Sequence, residues 1–522
     1  MCVLSTGALA ETVTSEDFSQ SNPSVSYTED TTVTGRFKFT GGNDHKLDAV
    51  ITVNDGRGTL TFTSGESINW SQGGKITVNA SATTFTGSAA TRYDYTLYKD
   101  SSQGTLTFNG DLIFKDLTSG AAIRGSETSK VSDIIATGDI SFTNVSTYEQ
   151  VAAMQAVSLI GQNITADNVH QTGFDMMGTA FWVHRGVLQA TGENSEGGLI
   201  SVKNSSFEHG SYGSAALWAD KAGQILADKV EVDKIEFAST SNRDKAKFVA
   251  SGIHAENGSH VVVGTSIDVK NITASTIQSA GLHLEGNANV GGITPPGGDP
   301  VENDPATLLQ TSAITISNIK AETEGLNAFG VYAVGGQERE GLKLSADQLT
   351  IGQISGTFAY GFAQMSEADS QFGSTEISGV TAETEAAGVY LRGTKTSGIE
   401  FGTLNVHDVQ ASENGFATLV DVGGGTVSAN AATLKVRDTL EYAGSFSENA
   451  DSAQDTIRTV AIRSVQGGLV DLTAEGGSYT IVGDLVAGYG TAFAEGTVPG
   501  VAGQIKISGS GECQVIFRRF CS

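Results

Sequence analysis

Histidine, tryptophan and tyrosine recur at one position of a repeated four-residue phrase. The phrase is a small residue followed by an apolar, a variable and an apolar residue, as in Gly252-Ile-His-Ala. The variable position is aromatic or histidine in six of seven copies, although Phe, Trp and Tyr make up only 7% of the chain. Because side chains alternate along a strand, this position is predicted to point outward and to form a ladder of rings. The ladder consists of Trp182, Trp218, His254, His283, Tyr332 and Tyr390, with Ala363 as the exception.

The ring ladder permits two interpretations. Exposed Trp and Tyr anchor binding surfaces, so an outward strip of rings would suit sugar rings or a partner protein. Alternatively, rings on adjacent strands pack on one another, which contributes roughly 0.2–1 kcal/mol a pair and needs no ligand. The sequence leaves both interpretations open, and the six ring positions are its candidate binding residues.

Patterns that mark catalytic or metal sites are absent from the sequence. A serine protease of the common type would need Gly-Asp-Ser-Gly around its nucleophile, and the chain has no such segment. His254 and His260 flank Glu256, but a strand and turn cannot place both on one helical face, as a His-Glu-x-x-His zinc site requires. Phosphate-binding loops and calcium-binding nonapeptides are also missing. The sequence therefore predicts no catalytic residue, no metal site and no cofactor.

A second phrase follows each copy of the first from Ala216 onward. Two phrases that travel together at about 30 residues indicate a structural repeat. Between them lie short alternating runs broken by Gly, Asn, Asp and Ser, which predict about three short strands per repeat. The predicted fold is therefore all-β, a single elongated parallel β-helix in which each repeat is one coil. The copies of the second phrase are Val232-Asp-Lys-Ile, Val269-Lys-Asn-Ile, Ile316-Ser-Asn-Ile, Ile351-Gly-Gln-Ile, Ile377-Ser-Gly-Val and Val406-His-Asp-Val.

Composition supports this fold and excludes one class of partner. Gly accounts for 65 of 522 residues and Pro for 6, which suits many turns between strands whose N–H groups all pair. Lys and Arg number 31 against 58 Asp and Glu, a formal charge of −27. Nucleic-acid binding needs a basic surface that neutralises phosphates, so a nucleic-acid partner is excluded.

The sequence divides the chain into a signal-peptide remnant, opening coils, a main β-helix and an insertion. Residues 1–10 end in Ala8-Leu-Ala, the small–x–small form of a signal-peptidase site, and are interpreted as the remnant of a signal peptide. Residues 11–150 are predicted to form irregular opening coils that cap the solenoid, and residues 151–510 the main β-helix. Four of the six prolines lie between 294 and 306, so this segment is predicted to loop out of the stack.

Cysteine is confined to the ends of the chain, at Cys2, Cys513 and Cys521. The body therefore has no disulfide framework and no cysteine-based zinc site. Two of the three cysteines and two adjacent arginines fall in residues 511–522. This segment is predicted to be an atypical tail, unlike the rest of the fold.

Together these features resemble the passenger domain of a bacterial autotransporter. The resemblance rests on the small–x–small site before Glu11 and on the acidic, Gly-, Ser-, Thr- and Asn-rich β repeats that extend to about residue 510. It implies a right-handed parallel β-helix exported through an outer-membrane barrel to the bacterial cell surface. The chain departs from the family pattern because it has no C-terminal run of alternating strands with aromatic girdles. The translocator barrel is therefore expected to be missing from this chain.

The sequence favours a secreted or surface-displayed protein that acts in adhesion or cell-surface interaction without catalysis. Its expected partner is a host or bacterial cell-surface glycan or protein. The alternative is a polysaccharide-degrading β-helix similar to pectate lyases or polygalacturonases, which use clustered carboxylates. A phage tailspike-like binding protein is a third class, but it would not begin with a secretion signal. The neighbouring carboxylates considered for an enzyme are Asp299, Glu302, Asp304, Asp451 and Asp455, all in predicted loops.

Overall fold

Short alternating runs broken by turn residues form parallel β-strands throughout the computed structural model of this protein. In Leu47–Val53, for example, every second side chain is buried, as expected of a strand with one face on the core. The 3-10 turn Asn54–Gly56 is the only helical element in the part of the chain that the structure describes. The structure describes residues 10–18, 23–40, 47–71, 73–100, 103–126, 131–173, 177–193, 197–208, 213–238, 248–286, 306–335, 341–365, 368–393, 397–412, 415–424, 432–443, 459–488, 502–508, 513–516 and 520–521.

The described chain divides into two units, of which the first comprises the described residues of Met1–Tyr212 and Ala216–Glu231. Two strands, β23 (Ser214–Asp220) and β24 (Gln224–Ala238), contain residues of both units. The other strands of the first unit are β1 (Glu11–Val13), β2 (Glu16–Phe18), β3 (Ser24–Tyr27), β4 (Thr31–Val33), β5 (Phe37–Phe39), β6 (Leu47–Val53), β7 (Thr59–Phe62), β8 (Ile68–Trp70), β9 (Gly74–Asn79), β10 (Ala82–Ser88), β11 (Tyr95–Lys99), β12 (Gly104–Phe108), β13 (Asp111–Ser119), β14 (Ala121–Gly125), β15 (Ser132–Ala136), β16 (Ile140–Thr147), β17 (Ala152–Gln155), β18 (Val157–Gly161), β19 (Ile164–Gln171), β20 (Thr179–His184), β21 (Val187–Ala190) and β22 (Leu199–Glu208).

From β1 to β22, each strand pairs in parallel with the strand three places along the chain. β1 pairs with β4 and β4 with β7, and the same step continues to the pair of β19 and β22. Three stacks of parallel strands result, and one strand from each stack makes one coil. Residues 11–150, the predicted opening coils, follow this rule from β1 onward. The prediction of a parallel β-helix with about three short strands per coil is confirmed.

The second unit comprises the described residues of Gly213–Ala215, Val232–Ile293 and Glu302–Ser522. Several of its strands are longer than any strand that lies wholly in the first unit, because they continue from one stack into the next. They are β25 (Val249–Ala255), β26 (His260–Ala274), β27 (Gln278–Glu285), β28 (Thr307–Ala321), β29 (Asn327–Val334), β30 (Leu342–Met365), β31 (Asp369–Gly393), β32 (Ser397–His407), β33 (Val409–Ala411), β34 (Phe416–Gly424), β35 (Ala432–Ala443), β36 (Thr459–Val465), β37 (Leu469–Leu472), β38 (Ser478–Val482), β39 (Asp484–Gly488), β40 (Gln504–Ile507), β41 (Cys513–Ile516) and β42 (Phe520–Cys521).

The long strands of the second unit join two stacks. The first half of β30 pairs with β28 and its second half with β29. β31 then covers the whole length of β30 in parallel register. Copies of the two sequence phrases therefore stack on their own counterparts, coil upon coil. For the second phrase, the stacked residues are Val269, Ile316, Ile351, Ile377 and Val406.

Apolar columns fill the interior of both units. Ile253, Leu282, Val331, Phe362 and Val389 are register partners on successive coils, and each is 0% exposed. Phe362 contacts Phe372, a residue of a different stack, with ring centroids 5.5 Å apart. The first apolar position of the repeated four-residue phrase therefore forms an inward column. In the first unit, a phenylalanine stack has the same role and consists of Phe62, Phe85, Phe114 and Phe142.

The turn within the second phrase has a left-handed backbone in every copy. Asn271 has φ 55° and Asn318 has φ 56°, and Asn318 Nδ2 donates to Asn271 Oδ1 over 2.6 Å. Asn271 Nδ2 in turn donates to Asp233 Oδ1 over 2.6 Å. Asparagine suits this turn because it tolerates the left-handed region and its amide can bond to the next coil. The other residues at this position are Lys234, Gln353, Gly379 and Asp408.

Three predicted segments need separate mention. Residues 1–9 and almost all of the predicted insertion 294–306 lie outside the described residues. Within the atypical tail, β41 pairs in parallel with β38 and β42 with β39, so these strands extend the stack. Among the described residues, the structure contains no helix with the length and apolar character needed to cross a membrane.

Candidate functional site

The ladder positions of the second unit fall in one register column. His254 pairs with His283, His283 with Tyr332, Tyr332 with Ala363, and Ala363 with Tyr390. The column continues beyond the predicted residues, because Asp421 pairs with Tyr390 and Arg463 with Asp421. We call these seven residues the ring-and-charge column. The stacking that the sequence predicted is present, and its continuation into a charged end was not predicted.

The expected exposure of the ladder is wrong. Trp182 is 6% exposed, and Trp218, His254 and His283 are each 4% exposed. Tyr332 and Tyr390 are only partly buried. Strand alternation does turn these side chains away from the inward column, but neighbouring side chains cover them. The residues therefore do not form a flat, solvent-facing strip of rings.

Ring-on-ring packing accounts for much of this burial. His254 and His283 meet edge to face with centroids 4.3 Å apart, and Tyr332 stacks on His283 at 5.1 Å. Phe329 stacks on Tyr332 at 4.3 Å and on Tyr360 at 5.4 Å. Burial raises the pKa of the Tyr332 phenol above its ordinary value. The packing interpretation of the ladder thus describes the second-unit residues better than the binding-strip interpretation.

In the first unit, the ladder residue Trp182 neighbours a buried histidine–aspartate pair. Its ring centroid lies 5.2 Å from that of His184. His184 Nδ1 lies 3.0 Å from Asp220 Oδ2, and both residues are buried. Trp182 and Trp218 therefore belong to a packed face, with no open ring surface in this part of the described chain.

The charged end of the ring-and-charge column is a buried arginine–aspartate cluster. Asp421 is 0% exposed, and its Oδ2 accepts from Arg392 Nη2 at 2.9 Å and from Arg463 Nη1 at 3.2 Å. The Arg392 guanidinium also lies over the Tyr390 ring, 4.0 Å from its centroid. Burial disfavours the charged guanidinium, but the neighbouring Asp421 outweighs it and raises the pKa of Arg392.

Glu385 lies in the same electrostatic environment and behaves differently. Burial, followed by the negative charge of Asp421, raises the pKa of Glu385, while Arg392 and Arg463 partly oppose the shift. Glu385 also interacts with the phenol of Tyr360. General acids in enzymes are often carboxyls whose pKa is raised, so Glu385 is the described carboxyl to consider for such a role. The five carboxylates considered in the sequence for this role all lie outside the described residues.

Two histidines and one carboxylate meet at the other end of the column. His283 Nε2 lies 3.0 Å from Glu285 Oε1, and the donor atoms of His254, His283 and Glu285 all lie within 4.8 Å of one another. Burial alone would raise the pKa of Glu285, but His283 and then His254 outweigh it and lower the pKa to about 2. Glu256 Oε1 lies 4.0 Å from His254 Nε2. Such a donor set can hold a transition-metal ion.

A separate open groove of 640 Å³ crosses six coils of the second unit. Its wall includes Val262, Gln310, Ser345, Gln371 and Glu400, which are register partners on successive strands. Six strands about 4.8 Å apart give the groove a length of about 24 Å. Its remaining lining residues are Val263, Gly264, Thr311, Ser312, Ala346, Asp347, Phe372, Gly373, Gly402 and Arg437.

The sequence does not single out these groove residues. Most of them lie at outward or turn positions, where the residue type varies from coil to coil, whereas Val263, Ala346 and Phe372 are buried. Glu285, Asp421 and Arg463 were missed for a related reason, since they fall just outside the repeated phrase or on a coil without a copy of it. The one available signal was the register itself: extending the ladder by two coils beyond Tyr390 reaches first Asp421 and then Arg463.

Comparisons with known proteins do not add to this description. No protein-family model, no curated protein and no solved structure matches the chain.

Proposed function

We propose that the protein is a non-catalytic binding protein of the bacterial cell surface that holds an extended neutral glycan in the groove of its second unit. The observation that carries the proposal is the groove itself, which is open, about 24 Å long and lined by register partners on successive coils. An elongated groove suits a linear polymer better than a compact small molecule. Adhesion through a surface glycan is the function that such a groove serves.

The chemistry of the groove lining favours sugar hydroxyls. The amides of Gln310 and Gln371 both donate and accept hydrogen bonds, and the carboxylates of Asp347 and Glu400 accept from hydroxyls. Val262 is 37% exposed and offers the apolar contact that the faces of sugar rings need. Arg437 pairs with Glu400, so the positive charge of Arg437 balances one of the two negative charges of Asp347 and Glu400. A neutral chain fits this lining better than a polyanion, since the whole protein carries a charge of −27.

Surface display is part of the same proposal. It is supported by the resemblance of the sequence to autotransporter passengers and by the parallel β-helix that this resemblance implied. Fractionation of the native bacterium, followed by protease treatment of intact cells, tests it. Loss of the protein from intact cells under protease supports display, whereas full protection contradicts it.

Binding is tested with the full chain on immobilised linear polysaccharides, including neutral, acidic and basic members. Gln371→Trp fills the groove from an exposed position, and Thr381→Trp makes the same change at an exposed position of β31 outside it. We expect the first variant to lose at least tenfold in affinity for neutral glycans, and the second to bind like the wild type. Equal binding by all three proteins would overturn the groove proposal. Capture of an extended peptide in place of any glycan would do the same.

A polysaccharide-degrading enzyme is the second candidate, and the raised pKa of Glu385 favours it. Glu385 is partly exposed, so it can touch a substrate, whereas Asp421 is fully buried and can only position its neighbours. Incubation with the same polysaccharides, followed by measurement of new reducing ends and unsaturated sugars, tests this activity. Product formation that Glu385→Gln abolishes would replace the adhesion proposal. Absence of product with wild-type protein that binds glycan supports adhesion.

A further inference from the structure

We propose that His254, His283 and Glu285 bind one divalent transition-metal ion, with Zn²⁺ as its representative. The three residues lie on β25 and β27, two adjacent coils of the second unit. None of them lines the glycan groove, so this proposal is independent of the proposed function. The ion would join two coils through side chains that backbone register already brings together.

The geometry is close to that of a bound site. The donor atoms of the three residues all lie within 4.8 Å of one another. Zinc binds imidazole nitrogen and carboxylate oxygen at about 2.0–2.2 Å, so tetrahedral ligands stand about 3.3 Å apart. Register pairing of His254 with His283 fixes both backbones, and small side-chain rotations are sufficient to close the remaining gap.

Burial gives a second, independent reason. His254 and His283 are each 4% exposed, and His283 Nε2 lies 3.0 Å from Glu285 Oε1. Burial thus holds both imidazoles in fixed positions beside the carboxylate, which is the pre-organised arrangement that a metal site needs. Tyr332 stacks on one face of the His283 ring. An imidazole nitrogen binds a metal ion in the plane of its ring, so this stacked phenol does not occupy the coordinating position. The Glu285 side chain is 41% exposed and provides the entry path from solvent.

The donor set selects the class of metal. Imidazole suits Zn²⁺, Cu²⁺, Ni²⁺ and Co²⁺, whereas Mg²⁺ and Ca²⁺ need mostly oxygen ligands. No cysteine lies among the described residues near this cluster to favour a softer ion. Glu256, 4.0 Å from His254, can orient that imidazole or supply a fourth ligand. No metal-binding motif marks the site in the sequence, because the two histidines are 29 residues apart and lie on different coils.

The test is a calorimetric Zn²⁺ titration of the tag-free full chain after chelator treatment. Co²⁺ is used in parallel, because tetrahedral Co²⁺ gives much stronger visible absorption than hydrated Co²⁺. We expect one equivalent of Zn²⁺ to bind with micromolar or tighter affinity and to raise the melting temperature. We expect one equivalent of Co²⁺ to give the strong tetrahedral bands.

Three variants locate the ion. Glu285→Gln keeps the shape of a partly exposed side chain and should weaken Zn²⁺ binding at least tenfold. His283→Ala should abolish the Co²⁺ bands. His170→Gln is the matched control, because His170 lies in the first unit, where it bonds to Ser206 and Asn168. This variant should bind Zn²⁺ like the wild type. Failure of the wild type to bind Zn²⁺, or unchanged binding by Glu285→Gln, would overturn the proposal even where His283→Ala fails to fold.

Discussion

Gly330 leaves the space that Ile351 fills. A Cβ atom on Gly330 would lie 2.6 Å from Cγ2 of Ile351 and 2.4 Å from the carbonyl oxygen of Gly361. Gly330 opens the first sequence phrase, and Ile351 opens the copy of the second phrase that follows it. The two phrases recur together because the missing side chain of one accommodates the branched side chain of the other. The same relationship holds for Gly252 with Val269, Gly281 with Ile316, Gly361 with Ile377, and Gly388 with Val406.

Gly330→Ala is therefore expected to destabilise the protein. The added methyl meets a backbone carbonyl as well as a side chain, and a backbone group cannot rotate away. Overpacking of this kind costs typically about 1–3 kcal/mol. Urea unfolding followed by circular dichroism measures the loss in the free energy of unfolding.

Gly398→Ala is the matched control for that variant. A Cβ atom at Gly398 would meet nothing within 4 Å, and Gly398 also lies in a strand. We expect this variant to stay within about 0.5 kcal/mol of the wild type. If both variants lost the same free energy of unfolding, the contact of Gly330 with Ile351 and Gly361 would not explain why glycine occupies this position.

Val331→Asp should be more damaging than any change on the surface of the same sheet. Val331 is 0% exposed and lies between Leu282 and Phe362 on adjacent coils. A carboxylate there would have no partner, and a buried unpaired charge costs several kcal/mol. Thermal unfolding should show a large drop in melting temperature. Gln348→Asp, at an exposed position, should change it little, and an unchanged melting curve for Val331→Asp would contradict the inward assignment.

The repeating part of the fold could be predicted because its cause is local. Strand alternation and the spacing of the two phrases indicate coils, and each copy then stacks on the next in register. The turn residues were also predictable, since Asn271 and Asn318 are among the few residue types that accept positive φ. The inward column was predictable as well, because Ile253 and Val331 occupy an apolar position of the repeated phrase.

Exposure could not be predicted, because it depends on neighbours that the phrase does not contain. His283 points away from the interior as expected, yet Tyr332 and His254 cover it. Short segments of similar sequence can also suggest the wrong strand pairing. Gly58-Thr-Leu-Thr-Phe and Gly104-Thr-Leu-Thr-Phe have almost the same sequence, but β7 and β12 belong to different stacks. Register, and not resemblance of short segments, decides which residues meet.

Asp421→Asn should destabilise the second unit markedly. The substitution removes the negative charge that Arg392 and Arg463 share at 2.9 and 3.2 Å. Both arginines would then be left partly buried without the counter-charge of Asp421, and loss of one partner from a buried ion pair costs about 3 kcal/mol. Chemical unfolding provides the measurement.

An exposed ion pair serves as the reference for this variant. Lys320 lies 3.0 Å from Glu322, and the two side chains are 51% and 43% exposed. Glu322→Gln is therefore expected to cost less than about 1 kcal/mol. If Asp421→Asn cost no more than Glu322→Gln, the buried cluster would not contribute to stability in the way that its geometry indicates.

Lys99 gives the first unit a stability that depends on pH in the alkaline range. Lys99 is 1% exposed, its Nζ lies 4.7 Å from the centre of the Trp70 ring, and it donates to the carbonyl oxygen of Asp100 over 2.5 Å. Burial lowers the pKa of Lys99 to about 8, although the Asp100 charge partly opposes the shift. The unfolded chain keeps the ordinary value of 10.5.

Between these two pKa values the unfolded chain binds more protons than the folded chain, so the free energy of unfolding must rise with pH. We expect Lys99 to contribute a rise of roughly 2 kcal/mol between pH 8 and pH 10, and none below pH 7.

Lys99→Met keeps an apolar contact with Trp70 and removes the titrating group, so it should be more stable than the wild type at pH 7 and should lack the rise. Urea unfolding of both proteins across this range gives the difference between their free energies of unfolding. The tyrosines that titrate in the same range are present in both proteins, so their contributions largely cancel in this difference. Lys343→Met, at an exposed position, should follow the wild type. Parallel pH profiles for the wild type and Lys99→Met would show that Lys99 is not buried as a charged group.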